Sequence, residues 1–112
     1  MKSREIGFNP NYAEDPLTPG QVHELVGDAI LEFGTPWCGH CQAAKTAVQE
    51  GLNDHSDLAH IKVYDGKGKV LGRAFRVKLW PTLILLHNGQ EVARLVRPLA
   101  TEEVRELLAL CK

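Results

Sequence analysis

Absences narrow the classes open to this chain before any motif is read. None of its 112 residues fall in an apolar run long enough to cross a bilayer, which takes about 20 consecutive residues. Neither sign of charge predominates: 13 Lys and Arg against 14 Asp and Glu leave a formal net charge of −1. The overall balance therefore attracts neither nucleic acid nor anionic lipid. Met1 to Tyr12 lack the charged segment, apolar run and small-residue cleavage site of a signal peptide, so a cytoplasmic or other reducing address is expected. In such a compartment three cysteines point away from a structural disulfide framework and toward transient, catalytic thiol chemistry. Repeats, linkers and low-complexity segments are also missing.

What is present suits one soluble globular domain. Hydrophobic residues make up 44% and charged residues 24%, an ordinary globular balance. A single domain over 1–112 is expected, with 1–17, rich in polar residues, Gly and Pro, as an irregular or partly extended lead-in. Lys62, Lys67, Lys69, Arg73, Arg76 and Lys78 lie in a stretch where Asp65 is the only acid. This reads as a solvated surface.

Local patterns predict the order helix, strand, helix, strand, helix, hairpin, helix. Thr18-Pro19-Gly20-Gln21 predicts a helix start with Thr18 as cap, Pro19 first and Gln21 reaching back, and Gly27 a stop. Ala29 to Phe33 is a short apolar run that suits a buried strand. From Cys38 to about Glu50 the composition predicts a helix, with Gly51 and Asn53 as terminators. His60 to Tyr64 reads as a strand and Arg73 to Phe75 as a short helix. Thr82 to His87, Asn88-Gly89 and Glu91 to Val96 form the signature of a tight hairpin. Thr101 is placed to cap a last helix, with Val104, Leu107, Leu108 and Cys111 on its inner face.

Trp37-Cys38-Gly39-His40-Cys41 stands between a predicted strand and a predicted helix. Residues three apart on a helix are neighbours, close to the separation a disulfide bridges. Cys38 falls at the helix start, where free N–H groups and the positive end of the dipole favour a thiolate. Cys38 is thus the expected nucleophile and Cys41 the resolving thiol. His40, when protonated, would add to the stabilisation of that thiolate; the alternative is an exposed loop histidine. Gly39 keeps the turn tight and lets a substrate approach.

Glu32 is an acid inside the apolar run. A buried carboxylate is costly unless paired or put to use. Desolvation favours its neutral form, so it is a candidate to accept and return the Cys41 proton. The alternative is a carboxylate at a strand edge reaching water. His60 and Lys62, at alternate positions of the next strand, are both candidate partners.

These residues together resemble the thioredoxin family over nearly the whole chain. The resemblance rests on Leu31-Glu32-Phe33, Trp37-Cys38-Gly39-His40-Cys41, Trp80-Pro81-Thr82 before the hairpin and the amphipathic C-terminal helix. It implies an α/β thioredoxin fold, a central mixed sheet with helices on both faces. It also implies a cis peptide at Pro81, which would face the dithiol and join Trp37, Gly39 and Trp80 in a groove that docks substrate. The segment from Glu32 to Cys41 is similar to protein disulfide isomerase domains, whereas size and the missing leader look like a cytoplasmic thioredoxin. Three positions depart from the pattern: Gly34 stands where a Trp is usual, Trp80 where a smaller residue is common, and Arg97-Pro98 where a groove glycine is expected.

The resemblance implies an enzyme that reduces or exchanges protein disulfides. Its only redox group would be the Cys38–Cys41 pair, with no other cofactor and no metal. A thioredoxin-reductase-type electron donor and a monomeric state go with it. Two other classes stand beside this one. A binding or scaffold protein could act through Trp37 and Trp80, for which packing around the loop is the commoner reading. A zinc module would need two ligands beyond the C-x-x-C pair. Covalent haem attachment is weaker still, because Gln42 stands where C-x-x-C-H needs histidine.

Overall fold

Alternation along the first strand divides the interior in two. The computed structural model describes residues 6–111. In it, β1 (Asp28–Gly34) lies between β2 (Ala59–Tyr64) and β3 (Thr82–His87), with β4 (Gln90–Val96) beyond β3. β1 runs parallel to β2 and antiparallel to β3, so the sheet is mixed. Successive side chains of a strand point to opposite faces. Ala29, Leu31 and Phe33 pack with Val22 and Leu25 near α1 (Pro19–His23) and Leu71 of α3 (Val70–Ala74). Ile30 packs with Ala44, Val48 and Leu52 of α2 (Gly39–Leu52) and Val104, Leu107 and Leu108 of α4 (Thr101–Leu108). Glu32 shares the parity of Ile30 and so faces the α2 side. This is the two-faced α/β architecture that the resemblance implies.

Several expected boundaries hold and several move. Thr18 Oγ1 accepts from the Gln21 N–H at 3.1 Å while Gln21 Oε1 accepts from the Thr18 N–H at 2.9 Å, completing the capping box. α1 nevertheless ends at His23, well before Gly27. Gly27, at φ +80°, instead forms the turn into β1, where its N–H and carbonyl both bond Asn88 of the hairpin. At the hairpin itself, Asn88 and Gly89 both take positive φ, as a two-residue turn of this kind demands.

Gly51 does not terminate α2. It is buried inside the helix, and a Cβ there would strike Val104 Cγ1 of α4. Its lack of a side chain sets how closely the two helices approach, and the C-cap falls to Asn53. Thr101 does not cap α4 either: Ala100 occupies the cap position. The Thr101 hydroxyl donates to Glu50 Oε2 of α2 at 2.8 Å, and Glu103 Oε1 accepts from the Leu99 and Ala100 N–H groups. Cys111 lies beyond the end of α4, partly buried against the same cluster. α3 begins at Val70, earlier than expected, and Phe75 is its C-cap.

The lead-in is partly extended, and its first five residues lie outside those described. Ile6 bridges Ala59 and Ala13 bridges Val63, so the segment runs along the outer edge of β2. The Ala13 N–H donates to the Lys62 carbonyl at 3.0 Å, and the Tyr64 N–H to the Ala13 carbonyl at 2.8 Å. Covering a strand edge in this way satisfies its backbone groups. It also brings Tyr12 over the sheet. Lys62 leaves the expected solvated basic surface, because β2 buries it; Lys67, Arg73, Arg76 and Lys78 remain exposed.

Candidate active site

β1 ends at Gly34, and residues 35–38 lead directly into α2. Cys38 is the N-cap of α2, and its Sγ accepts the Cys41 N–H at 3.3 Å. A sulfur in this position satisfies one of the helix's free amides and sits at the positive end of its dipole. Gln42 Nε2 donates to the Pro36 carbonyl at 3.0 Å, holding the loop against the first turn of the helix. Both cysteines are free thiols. Cys41 lies deeper, and burial pushes its thiol up to about 11, reinforced by the hydrogen bond to Cys38. The Thr35 backbone and the Tyr12 hydroxyl act in the opposite direction. Gly39 and His40 are exposed at the helix start.

Glu32 is only 2% exposed in a central strand, which removes the edge alternative. His60 is its partner: Nε2 lies 2.8 Å from Glu32 Oε1. The Asn9 backbone N–H donates to His60 Nδ1 at 2.8 Å. Nδ1 is therefore an acceptor, and the ring proton sits on Nε2 facing the carboxylate. Lys62 is opposite Glu32 in the strand register, but its Nζ donates to the Pro10 carbonyl at 3.3 Å and lies 4.1 Å from the centre of the Tyr12 ring. Burial pulls the Lys62 ammonium below its usual value, and the Glu32 charge opposes that.

Tyr12 is a member of the site with no motif to announce it. Its hydroxyl donates to Glu32 Oε2 at 3.2 Å and stands beside Cys41 Sγ over the bare Cα of Gly34. Burial first, and then the Glu32 charge, hold the phenol far above its usual value. Gly34 makes the space. A Cβ there would lie 2.5 Å from Cys41 Sγ and 2.9 Å from the Tyr12 hydroxyl.

The Trp80–Pro81 peptide is cis. Pro81 is buried just before Thr82, which pairs with Phe33, so it lies at the sheet end from which the cysteine loop leaves. The two indoles meet edge to face with centroids 5.8 Å apart. Trp37 Nε1 donates to the Tyr64 hydroxyl at 3.1 Å and Trp80 Nε1 to Asp65 Oδ2 at 2.9 Å. Packing around the loop accounts for half-buried Trp80 but not for Trp37, which keeps 65% of its surface exposed. Arg97, at the expected groove glycine, takes a positive φ of 52°. Its Nε donates to the Trp80 carbonyl and its N–H to the Pro81 carbonyl, both at 2.9 Å.

Among the described residues, no group of three or more His, Cys, Asp or Glu side chains comes together as metal ligands would. No described helix is long and apolar enough to cross a membrane.

Comparison with known proteins agrees with this geometry. The family model described as Thioredoxin matches residues 20–109. The structure of thioredoxin 2 from Pseudomonas aeruginosa PAO1 in its reduced form is 42% identical, covering 90% of this chain and 94% of that one, with a TM-score of 0.81. Thioredoxin H2-1 of Oryza sativa subsp. japonica is 31% identical over 67 residues, 60% of this chain and 49% of its own length. A protein disulfide-isomerase of Hordeum vulgare is 33% identical over 66 residues, 54% of this chain and 13% of its own. The chain thus spans about half the length, or less, of these curated relatives. Sequence match and backbone agree that the chain belongs to the thioredoxin family.

Proposed function

We propose that this protein is a thiol–disulfide oxidoreductase acting on protein disulfides through Cys38 and Cys41. The observation that carries the reading is the Cys38 sulfur capping α2 and accepting the Cys41 N–H, an arrangement that favours a nucleophilic thiolate. Cys38 attacks a substrate disulfide, and one substrate sulfur leaves as a thiolate. Cys41 then attacks Cys38 in the mixed disulfide, releasing the second substrate thiol and closing the Cys38–Cys41 bond. Glu32 takes the Cys41 proton in that second step. His40, exposed beside the thiols, favours the Cys38 thiolate when protonated.

The exposed surfaces of Trp37 and Leu79, with Gly39, Trp80 and cis-Pro81 beside them, form the face on which substrate docks. A cytoplasmic location, a monomer and a thioredoxin-reductase-type donor that returns the disulfide to the dithiol complete the reading. No cofactor beyond the dithiol enters it. Cys38→Ser should abolish reduction of insulin disulfides, and Cys41→Ser should accumulate a mixed disulfide on Cys38. Turnover retained by the first variant overturns the assignment. A second reading, partner binding through Trp37 and Trp80, is favoured by the exposure of Trp37. A variant without either active-site thiol that still performs the cellular task selects it.

A further inference from the structure

The side chain of Glu32 bonds His60 through one oxygen and Tyr12 through the other. The Tyr12 hydroxyl and Cys41 Sγ stand side by side over Gly34, where a Cβ would lie 2.9 Å from the one and 2.5 Å from the other. A single phenol therefore stands between the carboxylate and the thiol, and the bare Cα of Gly34 beneath it leaves room for both groups.

We propose that Tyr12 carries the proton between Cys41 and Glu32 during the resolving step. The inference rests on the reading of Cys41 as resolving thiol and Glu32 as its proton acceptor. In the mixed disulfide, Cys38 no longer offers a thiolate to the Cys41 S–H, and that hydrogen turns to the Tyr12 oxygen. As Cys41 Sγ attacks Cys38 Sγ, its proton passes to Tyr12 and the phenol's own proton passes to Glu32 Oε2. The Cys41 electron pair forms the Cys38–Cys41 bond. The pair of the Cys38–substrate bond leaves with the substrate sulfur, which takes a proton from solvent. Cys41 is oxidised, the substrate sulfur is reduced, and Tyr12 ends neutral as it began.

The surroundings suit such a relay. The titratable and charged groups around it are His60 and Lys62 from β2, Cys38 at the N-cap of α2, Cys41 and Lys45 from α2, and Glu32 itself. His60 donates through Nε2 and so fixes Oε1, leaving Oε2 as the oxygen that receives the proton. An open cleft of about 440 Å³, lined in part by Tyr12, Cys41, Lys45 and Lys62, gives the proton a way out to solvent.

Tyr12→Phe removes the hydroxyl and keeps the ring beneath Lys62. Attack by Cys38 is timed by stopped flow in a Cys41→Ser background with a chromogenic aromatic disulfide. Resolution is timed in the dithiol protein. At pH 7 the Tyr12→Phe variant should resolve at least about tenfold more slowly, since proton transfer by a positioned group contributes roughly 10²–10⁴-fold. Its first step should stay within about twofold of the parent. Glu32→Gln should slow resolution alike, and the double variant should be no slower than the slower single. The deficit should close as pH rises toward about 11, where Cys41 ionises unaided. If Tyr12→Phe resolves normally while Glu32→Gln is slow, the relay is wrong and the acceptor stands. If both resolve normally, both fail. Equal slowing of both steps at every pH marks a packing role and also overturns the relay.

Discussion

Gly34 lies against Cys41 so closely that a methyl group on its Cα would come within 2.5 Å of Sγ. The same methyl would meet the Tyr12 hydroxyl at 2.9 Å. Cys41 is buried in the first turn of α2, so its sulfur does not withdraw without moving its neighbours. Overpacking of this kind costs about 1–3 kcal/mol. Gly34→Ala should lower stability by that amount in urea unfolding and slow resolution by Cys41. A variant with the parent's midpoint and rate would show that the space is larger than these contacts imply.

The three cysteines should separate by reactivity. Burial is the main cause that pushes Cys41 and Cys111 each up to about 11. Burial disfavours the charged thiolate, so at pH 7 only about one molecule in ten thousand carries it at either site. Limiting iodoacetamide on the reduced protein should label Cys38, at the mouth of α2, before the other two. Labelling of Cys41 and Cys111 should climb about tenfold per pH unit up to that range, as peptide mass spectrometry would read. Early modification of Cys111 at pH 7 would contradict its placement.

Gly51→Ala sets helix propensity against packing. Alanine in a helix interior is favoured over glycine by about 1 kcal/mol. The new Cβ would strike Val104, and overpacking costs about 1–3 kcal/mol. Packing should win, giving net destabilisation. Val104→Ala in the same chain should recover part of the loss, and a double-mutant cycle measures the coupling.

Trp80 is held by Asp65, whose Oδ2 accepts the indole N–H at 2.9 Å. Asp65→Ala leaves that donor unpaired and opens space beside Gly72, which packs on the same carboxylate. An unpaired, partly buried donor costs about 1–3 kcal/mol. A shift in tryptophan fluorescence and a raised KM for a protein disulfide, with attack on a small disulfide unchanged, are the expected readouts. An unchanged spectrum would mean that Asp65 does not position the ring.

The dithiol was readable because its signal is local: spacing of three, a strand before it and helix-forming residues after it. The capping box of α1 and the Asn88-Gly89 turn are local in the same sense. Element ends are less legible where a residue serves another element. Gly51 looks like a stop along the chain but makes room for Val104, and Thr101 looks like a cap but reaches Glu50. Lys62 belongs to a basic stretch along the chain, but its place in β2 buries it.

For Glu32, the chain alone argued that a buried carboxylate needs a purpose, but it offered His60 and Lys62 equally. Side-chain direction made the choice against the strand register: Lys62 is the residue opposite Glu32, yet the His60 imidazole reaches the carboxylate while the Lys62 stem carries its charge on to Pro10. Tyr12 had no sequence signal at all: it enters the site only because the lead-in folds back along β2. Short-range periodicity and capping chemistry act over one or two turns and are written into neighbouring residues. Contacts between residues twenty or more positions apart depend on how the sheet and its edges close, and that is where the Tyr12–Glu32–His60 half of this site arises.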